Sequence, residues 1–192
     1  RALACIIATV TFGSEVSPAV QFLRNFRDRL ALSTRAGSAF MDVFNAWYYS
    51  FSPSVAGLIA GNDPLRATVR VMLYPLLGIL SISTLAYSWF TWAPELGVVM
   101  VGLIASSLIG LAYFTAPALI GMRALLRRRR LNGRDLAKVW LASLTIALAL
   151  LTVGEVAGSF LLLAIASSAV VLTCIIAVPV LASYMLLRLH QK

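Results

Sequence analysis

Two long runs of the sequence contain no charged residue, residues 71–92 and residues 96–122. About 20 apolar residues in an α-helix are enough to cross the ~30 Å hydrocarbon core of a bilayer. Two more apolar runs follow at residues 137–153 and 158–187. The last run would be about 45 Å long as a helix, so tilting or a bend at Pro179 would take up the excess. The sequence therefore predicts a membrane protein.

The predicted fold class is an all-α membrane protein with about four transmembrane helices, preceded by a small head of short amphipathic helices. The spans are placed at residues 68–92, 96–122, 137–153 and 158–187. The head is residues 1–63 and the transmembrane helix bundle is residues 64–192. Gly154 and Glu155 interrupt the apolar sequence and predict a turn. The alternative is three spans, with residues 137–187 forming a broken pair.

Turn and helix-start signals divide the head. Residues 4–12 are rich in β-branched side chains and predict an extended segment. Ser17 followed by Pro18 predicts a helix start, and a break is expected at residues 33–37. Ser52 and Pro53 repeat the start signal and predict a short helix that Gly61 would end. The head is thus expected to consist of several short helices.

Aromatic side chains recur at helical spacing in the middle of the head: Phe40, Phe44, Trp47, Tyr48 and Phe51. Such a stripe fits either a packed core or the headgroup layer of a membrane, where amphipathic rings settle. This pattern favours a head that lies at the membrane surface or docks a partner over a head that carries out catalysis.

The excess of positive charge is concentrated beside apolar runs. The chain carries a formal net charge of +9, and its most basic stretch contains Arg123, Arg127, Arg128, Arg129, Arg130, Arg134 and Lys138. In a soluble protein this charge would suggest nucleic acid. Next to membrane spans it indicates contact with lipid headgroups or an acidic partner surface, and we expect no nucleic-acid partner. By the positive-inside rule the Arg123–Lys138 loop is predicted to be cytoplasmic in a multi-pass protein of the cell membrane, with the head and the C-terminus on the same side.

Small residues punctuate the second span. We predict that Gly97, Gly102, Ser106 and Gly110 pack against other helices. Small side chains let helix backbones approach closely, which is how helices associate where the hydrophobic effect does not drive them together.

Groups that carry chemistry are sparse in the sequence. The single histidine, His190, lies near the end of the chain, and no nucleophile, phosphate-loop or metal-ligand motif occurs. We therefore predict no catalytic residues, no metal site and no cofactor. Cys5 and Cys174 show no spacing that calls for a disulfide, although such a bond stays open. Glu155 lies between apolar runs, where a carboxylate could move protons or ions.

Three motifs in the head carry a resemblance. They are CIIATVTFGSE from Cys5 to Glu15, VQFLRNFRD from Val20 to Asp28, and FNAWYYSFSP from Phe44 to Pro53. Over residues 5–80 the chain resembles the CFI-box domain, a membrane protein family common in archaea and also found in bacteria. Ile6 and Val10 depart from the usual pattern conservatively.

The resemblance implies membrane association without an established activity. In many members the module follows large extracellular regions, which disagrees with a head on the cytoplasmic side. The recurrent cysteine of the family implies that Cys5 is a candidate for lipidation or processing, and the lipobox-like Leu3, Ala4 and Cys5 agree with this.

The expected function is that of a non-catalytic integral membrane subunit. It would pack against other membrane-protein subunits, contact lipids and stabilise a larger complex, such as an archaeal respiratory or ammonia-oxidising complex. The alternative is a small transporter or ion-conducting protein that uses Glu155, together with Asp42.

Overall fold

The computed structural model describes residues 5–90, 92–128 and 132–189, and every regular element within these ranges is helical. The α-helices are α1 (Ile6–Phe12), α2 (Pro18–Asn25), α3 (Arg35–Ala60), α4 (Asp63–Tyr87), α5 (Pro94–Ile109), α6 (Thr115–Arg128), α7 (Gly133–Ala157) and α8 (Phe160–Leu189). Two π-helical segments extend α2 (Phe26–Leu30) and join α5 to α6 (Gly110–Phe114). Short 3-10 turns cover Ala31–Ser33 and Ser88–Phe90.

Four helical runs are long and apolar enough to cross a membrane: Asp63–Phe90, Pro94–Leu126, Gly133–Ala157 and Phe160–Leu189. Shorter helices precede them, so the predicted fold class is confirmed. Because α7 and α8 contain 25 and 30 residues, each has the length of a span by itself. Four such helices make the chain a multi-pass membrane protein.

The chain divides into two compact units, Arg1–Val98 and Val99–Lys192. The division predicted from the sequence, a head of residues 1–63 and a bundle of residues 64–192, stays a prediction.

In the first unit, α3 and α4 form an antiparallel hairpin. They contain 26 and 25 residues, which makes each about 38–39 Å long. Gly61 and Asn62 connect them at one end. At the other end Glu95, which follows α4, accepts a hydrogen bond from the backbone N–H of Arg35 at 2.9 Å. Both ends of the hairpin are therefore tied, and α1 packs against both of its helices.

The first segment of the head is a helix, so the prediction of an extended segment at residues 4–12 was wrong. Helix α1 buries Ala8 and Thr11 and contacts both α3 and α4. The Thr11 hydroxyl donates to the carbonyl of Ile7 at 2.7 Å. The β-branched residues favour a strand only weakly, and packing against two long helices outweighs that preference.

Helix α3 also differs from the prediction. Ser52 and Pro53 do not open a new helix, because α3 runs unbroken from Arg35 to Ala60 with Pro53 inside it. Proline removes one backbone donor, but Ser52 and Ile59, both fully buried, fix this part of the helix by packing. The break expected at residues 33–37 is shorter than predicted, since α3 begins at Arg35 after its cap Thr34. Two other signals hold. Ser17 caps α2 with Pro18 at its first turn, and Gly61 follows the end of α3.

In the second unit, α7 and α8 are joined by a tight reversal at Gly158, which has φ +65°. The backbone N–H groups of Gly158 and Ser159 donate to the carbonyls of Glu155 and Gly154 at 3.3 and 3.0 Å. This left-handed cap satisfies the last carbonyls of α7. The turn predicted at Gly154 and Glu155 was therefore wrong, because α7 continues through both residues to Ala157.

Candidate functional site

Polar side chains of the first unit gather around Cys5, at the start of α1. Among the described residues, Cys5 is the only non-glycine residue with a positive φ, at +67°. An L-residue adopts this left-handed conformation at some cost in energy, so the surrounding structure must hold it there. Two residues later, the Ile7 N–H donates to the Tyr48 hydroxyl at 3.1 Å, across 41 residues of sequence. This bond attaches the start of α1 to the middle of α3.

Four charged side chains complete this cluster as two ion pairs. Arg24 lies 3.2 Å from Glu15, and Arg27 lies 2.7 Å from the Asp28 carboxylate. The hydrogen bond to Asp28 raises the pKa of Arg27, which keeps the guanidinium charged. The arginines are half-buried and their carboxylate partners are exposed. The pairs therefore lie at the edge of the fold.

The electrostatic environment decides what the Cys5 thiol can do. Burial raises the pKa of Cys5, and the positive charges of Arg27 and Arg24 only partly oppose this effect. The thiolate is the nucleophilic form of cysteine, and a raised pKa leaves the thiol protonated near neutral pH. The arrangement around Cys5 therefore suits a structural contact better than nucleophilic catalysis. Lipidation or processing of Cys5 stays a prediction.

We expect the pH midpoint of alkylation of Cys5 to lie above that of the same thiol in the unfolded chain. Burial disfavours the thiolate, so the rate rises only at higher pH. The measurement is the rate of reaction with iodoacetamide against pH in a Cys174→Ala background, with and without denaturing detergent. Arg27→Gln should move the midpoint further upward. Arg66→Gln, at the connected end of the hairpin, is the control and should leave it unchanged. A midpoint below the unfolded value would contradict the expectation.

Only part of the basic stretch that begins at Arg123 lies within the described residues. Arg123 is exposed on α6, and Arg127 and Arg128 end that helix. Arg129 and Arg130 lie outside the described residues. Contact of this stretch with lipid headgroups or a partner stays a prediction.

The four predicted packing residues have different surroundings. A Cβ at Gly97 would meet the ring of Tyr87 at 2.8 Å, and a Cβ at Gly110 would meet the Ile175 carbonyl oxygen at 2.8 Å. Ser106 is 3% exposed, and its hydroxyl donates to the Gly102 carbonyl at 2.6 Å. A Cβ at Gly102 would meet no atom of the described residues within 4 Å. Gly97 and Gly110 thus allow close approaches within the chain, while Gly102 faces open space.

The carboxylates of the ion-transport alternative lie at helix positions of different kinds. Glu155 is half-buried in the last turn of α7, and Asp42 is exposed near the start of α3.

Both cysteines are free thiols, with Cys174 buried in α8 and 1% exposed. Among the described residues, no three His, Cys, Asp or Glu side chains come together as metal ligands would.

Reasoning from the sequence missed three contacts that hold the first unit together. Two of them are the Ile7–Tyr48 and Arg35–Glu95 hydrogen bonds. In the third, Arg70 of α4 donates to the Thr11 carbonyl at 2.8 Å, and its guanidinium lies 5.8 Å from the centre of the Phe12 ring. Each of these contacts joins residues more than 40 positions apart, so no local sequence pattern predicts it.

The fold and the site together define a multi-pass α-helical membrane protein with a helical head. Comparison of the chain with models of known families, with curated proteins and with solved structures finds no match. The resemblance to the CFI-box domain therefore stays a prediction.

Proposed function

We propose that the chain is a non-catalytic integral membrane subunit that packs against other membrane proteins and stabilises a larger complex. Membership of the CFI-box family, a cytoplasmic Arg123–Lys138 loop that contacts anionic lipid, and a place in an archaeal respiratory or ammonia-oxidising complex are finer parts of the same proposal.

The observation that carries the proposal is the unoccupied space at Gly102 of α5. The same run of helix uses Gly110 for a close contact with α8, so a small residue there serves helix packing within the chain. Gly102 has the same character but meets no neighbour within 4 Å among the described residues. Small residues with open space beside them are suited to the approach of another helix. A helix of a partner subunit would fit this space.

The exposure of the spans supports the same proposal. Only 6% of the most apolar window of α7 is buried, and the corresponding value for the α4 run is 11%. Lipid can cover such faces, but a partner helix can cover them as well, and gains packing contacts where the surface carries small residues. The raised pKa of Cys5, caused by burial, is consistent with the non-catalytic part of the proposal.

The test is to identify the proteins that remain bound to the chain when it is extracted from its native membrane. After gentle detergent extraction, native mass spectrometry should find the chain in an assembly with other membrane proteins in fixed ratio. A wild-type chain that emerges only as a monomer would defeat the proposal.

Gly102→Leu should keep the fold and lose the partner, because an added Cβ meets no atom of the described residues within 4 Å and the rest of the side chain fills the space that a partner helix needs. Gly121→Leu on α6 is the comparison, because an added Cβ there also meets no described atom within 4 Å although Gly121 is exposed and Gly102 half-buried. A loss of assembly at Gly102 alone would place the partner beside α5. If both variants assemble like the wild type, Gly102 is not part of the contact.

A further inference from the structure

Helices α7 and α8 leave an open, mostly apolar groove beside the line along which they pack. Both helices form its walls, and it has a volume of about 590 Å³. Val139 of α7 and Leu172 and Ile176 of α8 line it and are 69, 56 and 61% exposed. We call it the α7–α8 groove. Because both helices have the length and composition of membrane spans, the molecules that reach this groove in the bilayer are lipids.

The α7–α8 groove has the length of one leaflet of a bilayer. On α7 it runs from Asn132 to Ser143, which is about 17 Å of helix, and on α8 it runs from Ala169 to Leu181, which is about 18 Å. One leaflet is half of the ~30 Å hydrocarbon core, or about 15 Å. An acyl chain of one leaflet therefore fits along the groove from end to end.

The polar side chains of the groove are concentrated at one end. Asn132 and Asp135 line it where α7 begins. Further along, the polar side chains in its described lining are the hydroxyls of Ser143 and Thr173, and the Ser143 hydroxyl donates to the Trp140 carbonyl of its own helix at 2.8 Å. The groove thus has the polarity of an amphiphile, with a place for a headgroup at the start of α7 and for an apolar tail beyond it.

The end of α8 brings a basic residue to the polar end of the groove. A Cβ at Gly133 would collide with the Tyr184 ring, so the start of α7 and the end of α8 are in close contact. One turn further along α8, the Nε–H of Arg188 donates to the Tyr184 hydroxyl at 3.1 Å, and Arg188 is exposed. Arg188 therefore lies near the start of α7.

The charges at this end favour an anionic headgroup. Arg134 and Lys138 are exposed in the first two turns of α7, and together with Arg188 they outnumber the one described carboxylate there, that of Asp135. Exposed charges act over about 8–10 Å at physiological ionic strength, which is close to the width of a helix. Basic residues beside a membrane surface attract anionic lipids. The groove therefore combines an apolar surface for an acyl chain with a positive field for a headgroup.

We infer that the α7–α8 groove binds one anionic phospholipid, with an acyl chain along the groove and the phosphate at its polar end. This inference deepens the proposed contact of the Arg123–Lys138 loop with anionic lipid and rests on it. It adds a defined place for one lipid molecule. Lipid around the other spans is bulk lipid, whereas the lipid in the groove is selected by its headgroup.

Quenching of tryptophan fluorescence by brominated acyl chains tests the inference, because Trp140 lines the groove. The full chain with Trp47→Phe, Trp89→Phe and Trp92→Phe keeps this one tryptophan and is reconstituted into phosphatidylcholine vesicles. Dibrominated phosphatidylglycerol, which is anionic, should half-quench Trp140 at about a fivefold lower mole fraction than dibrominated phosphatidylcholine. A factor of about five is what one basic residue near a membrane surface supplies.

A tryptophan at the next position of α7 is the matched control. The variant adds Trp140→Phe and Leu141→Trp to the same background, and Leu141 is 54% exposed and does not line the groove. The preference for the anionic lipid should be much smaller at residue 141 than at residue 140. An equal preference at both positions would overturn the inference and leave the proposed lipid contact of the basic stretch standing. No preference at either position would overturn both.

Isosteric changes of charge at the polar end should move the preference in opposite directions. Arg188→Gln removes a cation and should raise the mole fraction of phosphatidylglycerol that half-quenches Trp140. Asp135→Asn removes the opposing carboxylate and should lower it. If neither variant changes this mole fraction, the headgroup is not held at this end and the inference is overturned.

Filling the groove tests the position of the acyl chain. Ala177 is half-buried and lines the groove, so Ala177→Leu takes up space that the chain needs. Native mass spectrometry should find one phosphatidylglycerol retained on the wild-type chain after extraction from mixed vesicles and a several-fold loss of it in this variant. Ala142→Leu, at an exposed position of α7 outside the groove, is the control and should retain the lipid. Equal retention by both variants would overturn the inference.

Discussion

Gly37→Ala should lower the free energy of unfolding of the first unit by about 3 kcal/mol, the upper part of the usual range for overpacking. A Cβ at residue 37 would collide with the carbonyl oxygen of Ala31 and lie 2.9 Å from the Thr34 hydroxyl oxygen. The Gly37 N–H also donates to that hydroxyl at 3.1 Å, which caps the start of α3. Since the obstacle is backbone, a side-chain rotation cannot relieve the clash. The measurement is the unfolding free energy in detergent micelles.

Gly57→Ala is the matched control, because it makes the same change in the same helix. A Cβ at Gly57 meets nothing within 4 Å among the described residues. Alanine is a better helix former than glycine, so this variant should be more stable by about 0.5–1 kcal/mol. Equal losses at Gly37 and Gly57 would mean that the close approach at Ala31 is not what makes glycine necessary.

The membrane helices could be predicted because the signal is local. A run such as residues 96–122 has the length and the lack of charge of a span whatever its neighbours are. The ends of these helices were predicted less accurately, as at Gly154 and Glu155. Glycine beside a carboxylate marks a turn in water, but here a glycine four residues later adopts the left-handed conformation and closes the helix. Which of two nearby glycines ends a helix depends on what packs against it.

The head was predicted less well, because its structure depends on distant residues. The β-branched run in α1 forms a helix since it packs on α3 and α4, and its first turn is fixed by Tyr48, 41 residues away from Ile7. Pro53 lies inside a helix for the same reason. The polar cluster around Cys5 could be suspected from the resemblance, which includes Tyr48, Arg27 and Asp28. The ion pairs and the raised pKa of the Cys5 thiol could not be predicted in this way.

Small residues in the second span illustrate the same limit. Gly102 and Gly110 look alike in the sequence, and both were predicted to pack against helices. In the fold one approaches the backbone of α8 and the other faces open space. The spacing of small residues therefore indicates that contacts are favourable, but it does not tell which contacts are made inside the chain and which are left for a partner.

Gly110→Leu should disrupt the second unit, with a loss of about 3 kcal/mol in the free energy of unfolding. A Cβ at residue 110 would lie 2.8 Å from the Ile175 carbonyl oxygen, 3.2 Å from the Ile175 Cα and 3.1 Å from the Pro179 Cδ. Two of these atoms are backbone and the third belongs to a rigid ring. The side chain can enter only if α8 moves away as a whole, which removes the packing around it.

Gly102→Leu makes the identical change two turns earlier in the same run of helix, and should raise the unfolding free energy by about 0.5–1 kcal/mol, because leucine, like alanine, is a better helix former than glycine. The pair is compared by steric trapping in detergent micelles, where partner subunits are absent. In the native membrane the two variants should differ in another way. Gly102→Leu should fold but fail to assemble with partner subunits, whereas Gly110→Leu should neither fold correctly nor assemble. If Gly102→Leu unfolds the isolated chain as strongly as Gly110→Leu, the space at Gly102 is filled by the chain itself, and the argument for a partner helix there fails.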